Sequence, residues 1–530
     1  MMRHKPVPRP MRSPSTTRMS TTVAVVALLA LTLAFFYKIA VTNRVLVGLD
    51  VFTYFYPYRD YVNDALRHGR LPLWNPYLFM GAPLLANSQT AVLYPLHWPL
   101  IWLAAPKQVA WSIVLHIWLA GAGTYFFARR AARLGPLAAF AAAAVFSLGG
   151  FLGAQVEHLN QLNASAWLPW LLLCIEVVTD DRRHRWPAML LGSAVAALIL
   201  LAGHTQAAYI VFFGAALYAL ARGLPRLRHR QWLHGLVPLL ALLAFGLAGA
   251  SLAAAQLLPT LELSGQSVRS GGLPYNEAAS FSLKPTLVLK AFLPPYLWEP
   301  PFSEYVAYVG LSGLVLAALG AWAVARRWRQ HPACLPIAGL ALLGLFLAFG
   351  AYNPVYYLLY RAVPGFALFR APARWLLLYA FGIALLAGIG LQFLLTIRPK
   401  QAVLGRAWHA GLVLLLALEF FVGSRKLAYN QPTAPAAYHS LRTAPSHLLA
   451  DDSDQPFRFL SMSDIGYDPG DLADLQAMYA GSLSPEALYD LVVATKMKEV
   501  LAFNLPLRYR LFSVDGYDGG LLPTAQYVTL

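Results

Sequence analysis

Apolar stretches long enough to cross a lipid bilayer recur along the chain, and short polar or basic turns separate them. Apolar segments of this length are typical of transmembrane helices. About eleven spans are predicted, near residues 21–41, 108–128, 135–153, 165–179, 187–203, 205–222, 234–257, 305–325, 334–350, 374–396 and 407–422. The apolar segment 91–105 is shorter and is broken by Pro95 and Pro99, so it is predicted to be interfacial or re-entrant. The pattern therefore predicts a mainly α-helical transmembrane bundle.

Clusters of arginine and lysine between the apolar stretches set the predicted orientation. They occur at residues 129–133, 182–185, 222–230, 326–329 and 398–406. Short cytoplasmic loops carry such a bias, so the clusters are placed inside and, with an odd number of spans, the C-terminus lies outside. Residues 1–20 are predicted to be a disordered cytoplasmic tail, and 21–41 the first span rather than a signal peptide, because no small-residue cleavage site follows. The expected location is the inner (plasma) membrane, crossed many times.

This topology divides the chain into a transmembrane domain at 21–423 and an extracytoplasmic tail at 424–530. Outer loops are expected at 42–107, 258–304 and 351–373. The tail holds twelve of the 24 acidic residues, so it is predicted to be a small water-soluble domain. Its strand-like segment FRFLSM (457–462) and its helix-like segment 484–502 predict an α/β fold.

The composition agrees with a membrane protein and argues against nucleic acid as a partner. The chain is 58% hydrophobic and 12% charged, whereas soluble proteins are about 25% charged. The net charge of +17 comes from the loop clusters, which is a topological signal and not a nucleic-acid surface. Cys174 and Cys334 lie in or beside apolar segments, so neither a disulfide framework nor a CxxC metal site can be built.

The first outer loop carries the most informative chemistry. It begins GLDVFTYFYPYRDY (48–61), so Asp50 follows the first span directly. If this segment is helical, Asp50 and Tyr54 lie one turn apart on the same face. One interpretation is an interfacial aromatic belt with a solvated aspartate. The other is a partly desolvated carboxylate whose raised pKa suits a general base.

Several motifs together resemble the YfhO-type bacterial membrane proteins of the GT-C superfamily of integral-membrane glycosyltransferases. They are, in chain order, GLDVFTYFYPYRDY, LPLWNPYLFMGAPLLANSQTAVLYP, EHLNQLNASAWLPWLLL, LLAGHTQAAYI, YVAYVGLSGLVL, PGFALFRAPARWLLL and NLPLRYRLFSVDGYDGG. The resemblance covers nearly the whole chain beyond residue 40. Family members usually continue well past the GYD motif, so this chain is expected to be a short member or a fragment.

The resemblance implies a GT-C-like fold and an inverting transfer of a sugar from a polyprenyl-phosphate donor. Asp50 corresponds to the acidic residue that acts as catalytic base, and the family allows a divalent metal to take part without requiring one. The first loop would supply the substrate contacts Tyr54, Tyr58, Asp60, Trp74, Asn75, Asn87 and Gln89. An alternative is a glycosidase in which Asp50 and Asp60 form the carboxylate pair, although hydrolysis has no need for a membrane scaffold.

Further candidates lie on the other outer segments. Arg370 and Arg374 in FRAPAR, with Arg361 nearby, are expected to hold the phosphate through forked hydrogen bonds; the alternative is that they are snorkelling anchors at a helix start. Polar clusters on two outer turns contain Glu157, His158, Asn160, Gln161 and Asn163, and His204 with Gln206. These are substrate-binding candidates or solvated turns, and a Glu–His pair is only a weak metal signal. In the second long loop, nothing selects among Glu262, Arg269, Lys284, Glu299 and Glu304.

The predicted function is sugar transfer from a polyprenyl phosphate to an envelope acceptor, which could be a glycan, a teichoic-acid-like polymer, a lipid or a protein. Two rivals remain open. One is a flippase or transporter of lipid-linked envelope precursors, which would need charged residues along a central path through spans that are nearly uncharged. The other is a non-catalytic envelope assembly protein, which predicts that Asp50 and Arg370 are replaceable.

Overall fold

The computed structural model describes residues 19–299, 301–327, 333–396, 402–451 and 457–529, and its regular structure is mostly α-helix. A helix lies at every one of the predicted span positions. Their bounds are Thr21–Phe35, Ala105–Arg130, Pro136–Leu148, Leu168–Asp180, Arg185–Leu201, Thr205–Arg228, Trp232–Leu252, Leu311–Arg327, Cys334–Ala348, Leu376–Leu394 and Ala402–Gly423. The predicted disordered tail, residues 1–20, lies outside the described residues except for its last two positions. Three residues of the basic clusters, Arg329, Arg398 and Lys400, also lie outside them.

Six helical segments are long and apolar enough to cross a membrane. These are Ala105–Arg130, Pro136–Glu157, Leu159–Asp180, Thr205–Arg228, Trp232–Leu252 and Pro372–Leu394. Four more apolar helices are shorter, namely Thr21–Phe35, Arg185–Leu201, Leu311–Arg326 and Cys334–Ala348. The prediction of a mainly α-helical protein that passes the membrane several times is therefore confirmed, while the count of eleven spans stays a prediction.

Close helix packing fixes the position of the segment that carries FRAPAR. The helices Leu311–Arg327 and Leu376–Leu394 touch through Gly320 and Gly390. A Cβ atom at Gly320 would overlap the Leu386 carbonyl oxygen, and one at Gly390 would overlap the Leu316 carbonyl oxygen. Small residues allow two helix backbones to approach in this way. Because Arg374 lies just before the second of these helices, the contact anchors it.

The polar clusters and the basic clusters occupy opposite ends of the helices. The helix Thr205–Arg228 has 24 residues, which corresponds to roughly 36 Å. Gln206 lies in its first turn, and Arg222 near its other end pairs with Glu176 at 2.5 Å and Asp180 at 3.0 Å. The two ends of this helix therefore carry different chemistry, and Arg222 at the basic end is paired with acidic side chains.

The first outer loop begins with helix rather than with irregular chain. Asp50 precedes a π-helical turn, Val51–Phe55, which continues as the α-helix Tyr56–Arg67. A short antiparallel hairpin follows, in which Trp74–Asn75 pairs with Ala82–Pro83. In the apolar segment 91–105, the regular structure is a six-residue 3-10 helix, Pro95–Leu100, until the next long helix begins at Ala105. This agrees with the prediction that the segment does not span the membrane.

The remaining short helices lie within or beside the predicted spans, in the loops that join them and in the tail. They are Tyr37–Ala40, Gly150–Ala154, Leu159–Ser165, Ala254–Gln266, Tyr275–Ala278, Val288–Phe292, Pro354–Ala362, Ala436–His439, Thr443–Leu449, Leu472–Tyr479, Pro485–Glu499, Leu505–Tyr509 and Ala525–Val528. The helix predicted at 484–502 is thus present as Pro485–Glu499.

The strand predicted at 457–462 is wrong. Over 457–529, the described part of the tail that contains this segment, Phe459 makes one isolated parallel bridge to Ser513 and no strand forms. Phe457, Leu460 and Met462 are all exposed, so the segment has no buried face and no partner strand to support a ladder. The boundary between the membrane domain and the tail stays a prediction.

The tail is joined to the outer loops by backbone contacts. Val45 bridges Thr433, and Ser267 bridges Thr524. The Ser513 amide donates a hydrogen bond to the Tyr77 carbonyl at 2.7 Å. These contacts place tail residues over the first and second outer loops, where the candidate side chains lie.

Candidate active site

Polar side chains from five separate segments meet where the outer loops join the helices. His158 Nε2 lies 3.8 Å from Asp50 Oδ2 and 3.8 Å from Glu304 Oε1. Arg374 donates to Glu304 Oε1 from Nε at 2.9 Å and from Nη2 at 2.5 Å, and to Gln206 Oε1 from Nη1 at 2.7 Å. The structure therefore connects Asp50, on the first loop, to Arg374, in FRAPAR, through His158 and Glu304.

The local backbone presents Asp50 at the start of a π-helical turn. Such turns are rare in proteins, and those that do occur are often found at functional sites. Gly48 allows the Glu157 side chain to lie against the same backbone, since a Cβ atom there would be 2.9 Å from Glu157 Oε1. The Asp50 side chain is 32% exposed. Burial raises the pKa of Asp50 and the Glu304 charge adds to the effect, while His158 and Arg374 act in the opposite direction.

Glu304 is an ionised carboxylate in a buried position. Burial acts to raise its pKa, but Arg374 and His158 outweigh this and hold the pKa below its usual value. Its second oxygen, Oε2, and His158 Nδ1 are buried without a hydrogen-bond partner among the described residues. Buried polar atoms of this kind are uncommon and often mark functional sites. The sequence analysis included Glu304 among its candidates, but no pattern distinguished it from the other charged residues of its loop.

Gln206 holds the FRAPAR turn against the cluster. Its Nε2 donates to the Arg370 carbonyl at 2.5 Å and to the Ala371 carbonyl at 3.3 Å. Ala371 has φ 60°, a left-handed conformation that an alanine adopts only when its surroundings impose it. His204 caps the same helix, because its Nδ1 accepts a hydrogen bond from the Ala207 amide at 3.0 Å. Both predicted residues of this hairpin thus position the turn.

Arg370 differs from Arg374 in having no counter-ion in contact. Arg374 is 14% exposed and already donates to Glu304 and Gln206. The half-buried Arg370 side chain makes no hydrogen bond or ion pair with any residue that the structure describes. Burial lowers the pKa of Arg370, and the positive charges of Arg269 and Arg374 lower it further. The sequence analysis expected Arg370 and Arg374 to bind the phosphate together. Because Arg374 already binds Glu304 and Gln206, Arg370 is the member of this pair whose side chain is left free for a phosphate.

Two tail residues complete the site, and the sequence analysis missed both. Burial raises the pKa of Tyr517, the Asp50 charge raises it further and the Arg370 charge lowers it. The next residue, Asp518, accepts hydrogen bonds from Asn87 Nδ2 at 2.5 Å and from the Tyr54 hydroxyl at 3.3 Å. The motif GYDGG that contains them was part of the family resemblance, but no local pattern joined it to the first loop.

A second polar cluster therefore lies beside the first. Tyr54 and Tyr58 stack with their ring centroids 4.5 Å apart. Burial raises the pKa of Asp518, and the backbone amide of Gly520 and the amide of Asn87 oppose this. Gln89 packs against Gly520, and its carbonyl accepts a hydrogen bond from Asn160 at 2.5 Å. Tyr54, Asn87 and Gln89 thus contact the tail, and Tyr58 packs beside Tyr54. The expectation that Asp50 and Tyr54 lie on the same helix face stays a prediction.

Removing the Asn87 amide is expected to loosen this junction. Asn87→Ala leaves the buried Asp518 carboxylate without its shortest hydrogen bond, which should lower the free energy of unfolding by about 1–3 kcal/mol. Thermal unfolding in detergent would measure the loss. The neighbouring Ser88→Ala is the control, because its hydroxyl makes no hydrogen bond within the described ranges. Equal melting temperatures for the two variants would contradict the prediction.

The remaining predicted residues lie outside the two clusters. Asp60 accepts a hydrogen bond from the Tyr438 hydroxyl at 2.5 Å, and ten helical residues separate it from Asp50, roughly 15 Å. Arg361 lies over the Tyr357 ring, 6.0 Å from its centroid, with no contact to Arg370 given by the structure. Asn75 Oδ1 accepts from the Tyr77 amide at 3.0 Å and serves the hairpin. Trp74 is 53% exposed on that hairpin.

Glu157 lies in the Asp50 cluster, whereas Gln161 does not bond to it. The charges of Asp50 and His158 both interact electrostatically with the Glu157 carboxylate. Gln161 is buried, and neither atom of its amide has a hydrogen-bond partner in the described part of the chain. Its backbone amide donates a hydrogen bond to the His158 carbonyl at 2.9 Å. Gln161 therefore supports the turn that carries His158.

The donor set does not fit a resident metal ion. Across the ranges that the structure describes, no group of three or more His, Cys, Asp or Glu side chains is arranged to hold one. Asp50, His158 and Glu304 are neighbours, but Glu304 Oε1 is already occupied by Arg374. The proposed reaction therefore assigns no role to a metal ion.

Fold and site together define a multi-pass, mainly α-helical membrane protein with a polar cluster at one end of its bundle. No protein-family model matches the chain, and no curated protein matches it. Among solved structures, arabinofuranosyltransferase AftD from Mycobacteria matches 79% of this chain at 17% identity, with a TM-score of 0.46. ArnT from Cupriavidus metallidurans bound to undecaprenyl phosphate matches 92% at 14% identity, with a TM-score of 0.40. The Archaeoglobus fulgidus oligosaccharyltransferase in complex with Zn and sulfate matches 93% at 11% identity, with a TM-score of 0.46.

These likenesses are partial. The chain spans 27% of the length of AftD, 77% of ArnT and 62% of the oligosaccharyltransferase. At these TM-scores the function has to be argued from the site itself.

Proposed function

We propose that this protein is a GT-C-type membrane glycosyltransferase that moves a sugar from a polyprenyl-phosphate donor to an extracytoplasmic envelope acceptor. The observation that carries the proposal is that the partly desolvated carboxylate Asp50 connects through His158 and Glu304 to Arg374. Gln206 binds both Arg374 and the backbone carbonyl of Arg370, an arginine whose side chain has no counter-ion in contact. A base and an unpaired cation at one site suit a reaction in which a hydroxyl attacks and a phosphate leaves.

In the proposed reaction, Asp50 accepts the proton of the acceptor hydroxyl. The hydroxyl oxygen attacks the anomeric carbon of the donor sugar, and the bond from that carbon to the phosphate oxygen breaks. The electron pair of that bond leaves with polyprenyl phosphate, whose negative charge Arg370 holds. One displacement inverts the configuration at the anomeric carbon. The raised pKa of Asp50 makes it a better proton acceptor than an ordinary aspartate.

The environment of the site supports a lipid-linked donor. Gln206 lies at the first turn of a helix of membrane-spanning length, so a donor held in the bilayer can present its phosphate at this level. The basic clusters at the opposite helix ends favour a cytoplasmic placement of that end. We therefore assign the site to the extracytoplasmic face, with the N-terminus cytoplasmic and the C-terminus outside.

Two alternative functions receive less support. A glycosidase built on Asp50 and Asp60 would need their carboxyl groups about 5–9.5 Å apart, and the helix places Asp60 roughly 15 Å from Asp50. A transporter needs charges along a central path, but Glu176 and Arg222, which lie inside described spans, pair with each other at 2.5 Å. Both observations favour the transferase.

The test is sugar transfer in membranes from polyprenyl-phosphate sugars labelled in the glycan. We expect transfer by the wild type, and Arg370→Ala should raise the KM for the donor by about tenfold or more, because it removes a charge-assisted hydrogen bond to phosphate. Arg361→Ala is the matched control, since Arg361 lies on the same outer loop with an exposed side chain.

Three outcomes decide the proposal. A donor KM that rises only with Arg370→Ala supports it. Equal values in both variants would remove Arg370 from the phosphate site. No transfer by the wild type from any of several donors, with the folded protein present, would overturn the proposed reaction.

A further inference from the structure

A second concave surface lies on the outer side, away from Asp50. It is an open pocket of about 220 Å³ lined by Tyr61, Asp64, Arg70, Trp74, Tyr77 and Arg510. We call it the hairpin pocket. Three of these residues are aromatic and three are charged. Tyr61 follows Asp50 by eleven helical residues, so the pocket lies roughly 16 Å along the helix from the proposed base.

The backbone holds Trp74 in an exposed position at the expense of unusual conformations. Phe79, Met80 and Gly81 have φ values of 54°, 57° and 111°, and two consecutive non-glycine residues with positive φ are rare. The turn brings Gly81 under the Trp74 indole, where a Cβ atom would lie 3.1 Å from the ring. Trp74 nevertheless remains 53% exposed. Strain that fixes an exposed aromatic ring points to a ring that covers a ligand.

The charged residues of the pocket are arranged around one carboxylate. Asp64 Oδ2 lies 3.5 Å from Arg510 Nη2 and 3.8 Å from Arg70 Nη2. The Arg510 guanidinium also stacks on the Tyr61 ring, 4.8 Å from its centroid. Two arginines against one aspartate leave an excess positive charge in the pocket.

We infer that the hairpin pocket binds a distant unit of an acidic acceptor glycan, an inference that rests on the proposed glycosyltransferase function. A sugar ring has an apolar face of C–H groups that can pack on Trp74 and Tyr77, while its edge carries hydroxyls. Asp64 accepts from hydroxyls, and Arg70 and Arg510 bind a carboxylate or phosphate of the glycan. A concave site with aromatic walls and a few convergent polar groups has the general form of a small-ligand site.

The separation from Asp50 determines what such binding does. A glycan of several units can place its terminal hydroxyl at Asp50 while an earlier unit occupies the hairpin pocket. Contacts with a unit that does not react bind the ground state and the transition state equally, so they lower KM and leave kcat unchanged. The pocket would therefore select polymeric acceptors over single sugars.

The binding test uses the full-length protein in detergent with two fluorescent probes of equal length, hyaluronan oligosaccharides, which carry carboxylates, and dextran oligosaccharides, which are uncharged. We expect the wild type to bind the hyaluronan probe more tightly. Trp74→Ala should weaken binding of both probes by about tenfold or more. Arg70→Gln, a change at an exposed side chain, should abolish the preference for the acidic probe and leave dextran binding unchanged. Trp102→Ala, another exposed tryptophan of the same loop, is the control.

The outcomes separate this inference from the proposed reaction. Binding that is equal in Trp74→Ala and Trp102→Ala, or absent in the wild type, would overturn the inference. Loss of adhesion to phosphatidylglycerol vesicles in Trp74→Ala without loss of glycan binding would also overturn it and would make Trp74 a membrane anchor. If Asp50→Asn retains both glycan binding and sugar transfer, the proposed base is wrong and the glycan pocket stands.

Discussion

Asp50→Asn is expected to lower the rate of sugar transfer by about 10²- to 10⁴-fold, the usual contribution of a general base. The amide has the shape of the carboxylate but cannot accept the proton of the acceptor hydroxyl. Transfer of label from polyprenyl-phosphate sugars, measured in membranes at matched expression, gives the rate. In the wild type, the rate should fall as the pH decreases through the raised pKa of Asp50, and this dependence should disappear in the variant.

The same substitution should not damage the fold. A carboxyl whose pKa is higher in the folded state than in the unfolded state stabilises the protein below its unfolded pKa, and this contribution is lost as the pH rises through the folded pKa. Above its folded pKa the ionised Asp50 therefore weakens the fold, and a neutral asparagine removes that cost. The variant should melt at the same temperature as the wild type or higher. Undiminished transfer with a folded variant would exclude Asp50 as the base and direct attention to Glu157.

The second large effect is expected at the buried pair of Glu304 and Arg374. Arg374→Met removes the partner of a carboxylate that is 3% exposed, and breaking a buried pair in this way costs about 3–5 kcal/mol. The free energy of unfolding in detergent should fall by that amount. The double variant Glu304→Gln with Arg374→Met should recover part of the loss, because no uncompensated charge remains in the interior.

A matched control is available on the surface. Lys426 Nζ lies 2.5 Å from Glu299 Oε1, but the glutamate side chain is 83% exposed. Lys426→Met should therefore change the free energy of unfolding by no more than about 1 kcal/mol. If Arg374→Met costs as little as Lys426→Met, the Glu304 cluster is not the rigid support that the structure indicates.

The helices could be predicted from the sequence because the signal is local. An apolar stretch of sufficient length satisfies its own backbone hydrogen bonds and needs no information from elsewhere in the chain. The strand prediction at 457–462 failed for the opposite reason. A strand depends on a partner and on a buried face, and Phe459 forms a single isolated bridge with Ser513, 54 positions later.

The site divides along the same line. The sequence analysis identified five residues of the site because charged or polar side chains at the ends of apolar helices stand out. They are Asp50, His158, Gln206, Arg370 and Arg374. The packing of several helices decides which of these side chains contact each other. The sequence could therefore not predict that Arg374 binds Glu304 while Arg370 has no counter-ion in contact. The selection of Glu304 and the contribution of Asp518 depend on contacts between segments hundreds of residues apart, which leave no periodic signal.

The contact between Tyr54 and Asp518 spans 464 positions, which has a consequence for the timing of synthesis. At about 5–20 residues per second, roughly 20–90 s pass between the emergence of the first residue and that of the second. During this interval the segment that carries Tyr54 lacks its contact with Asp518. The nascent chain therefore matures in two stages, in which the early helices are made well before the tail can pack on the first loop. A ribosome that stalls late would leave these helices without the contacts that the tail provides.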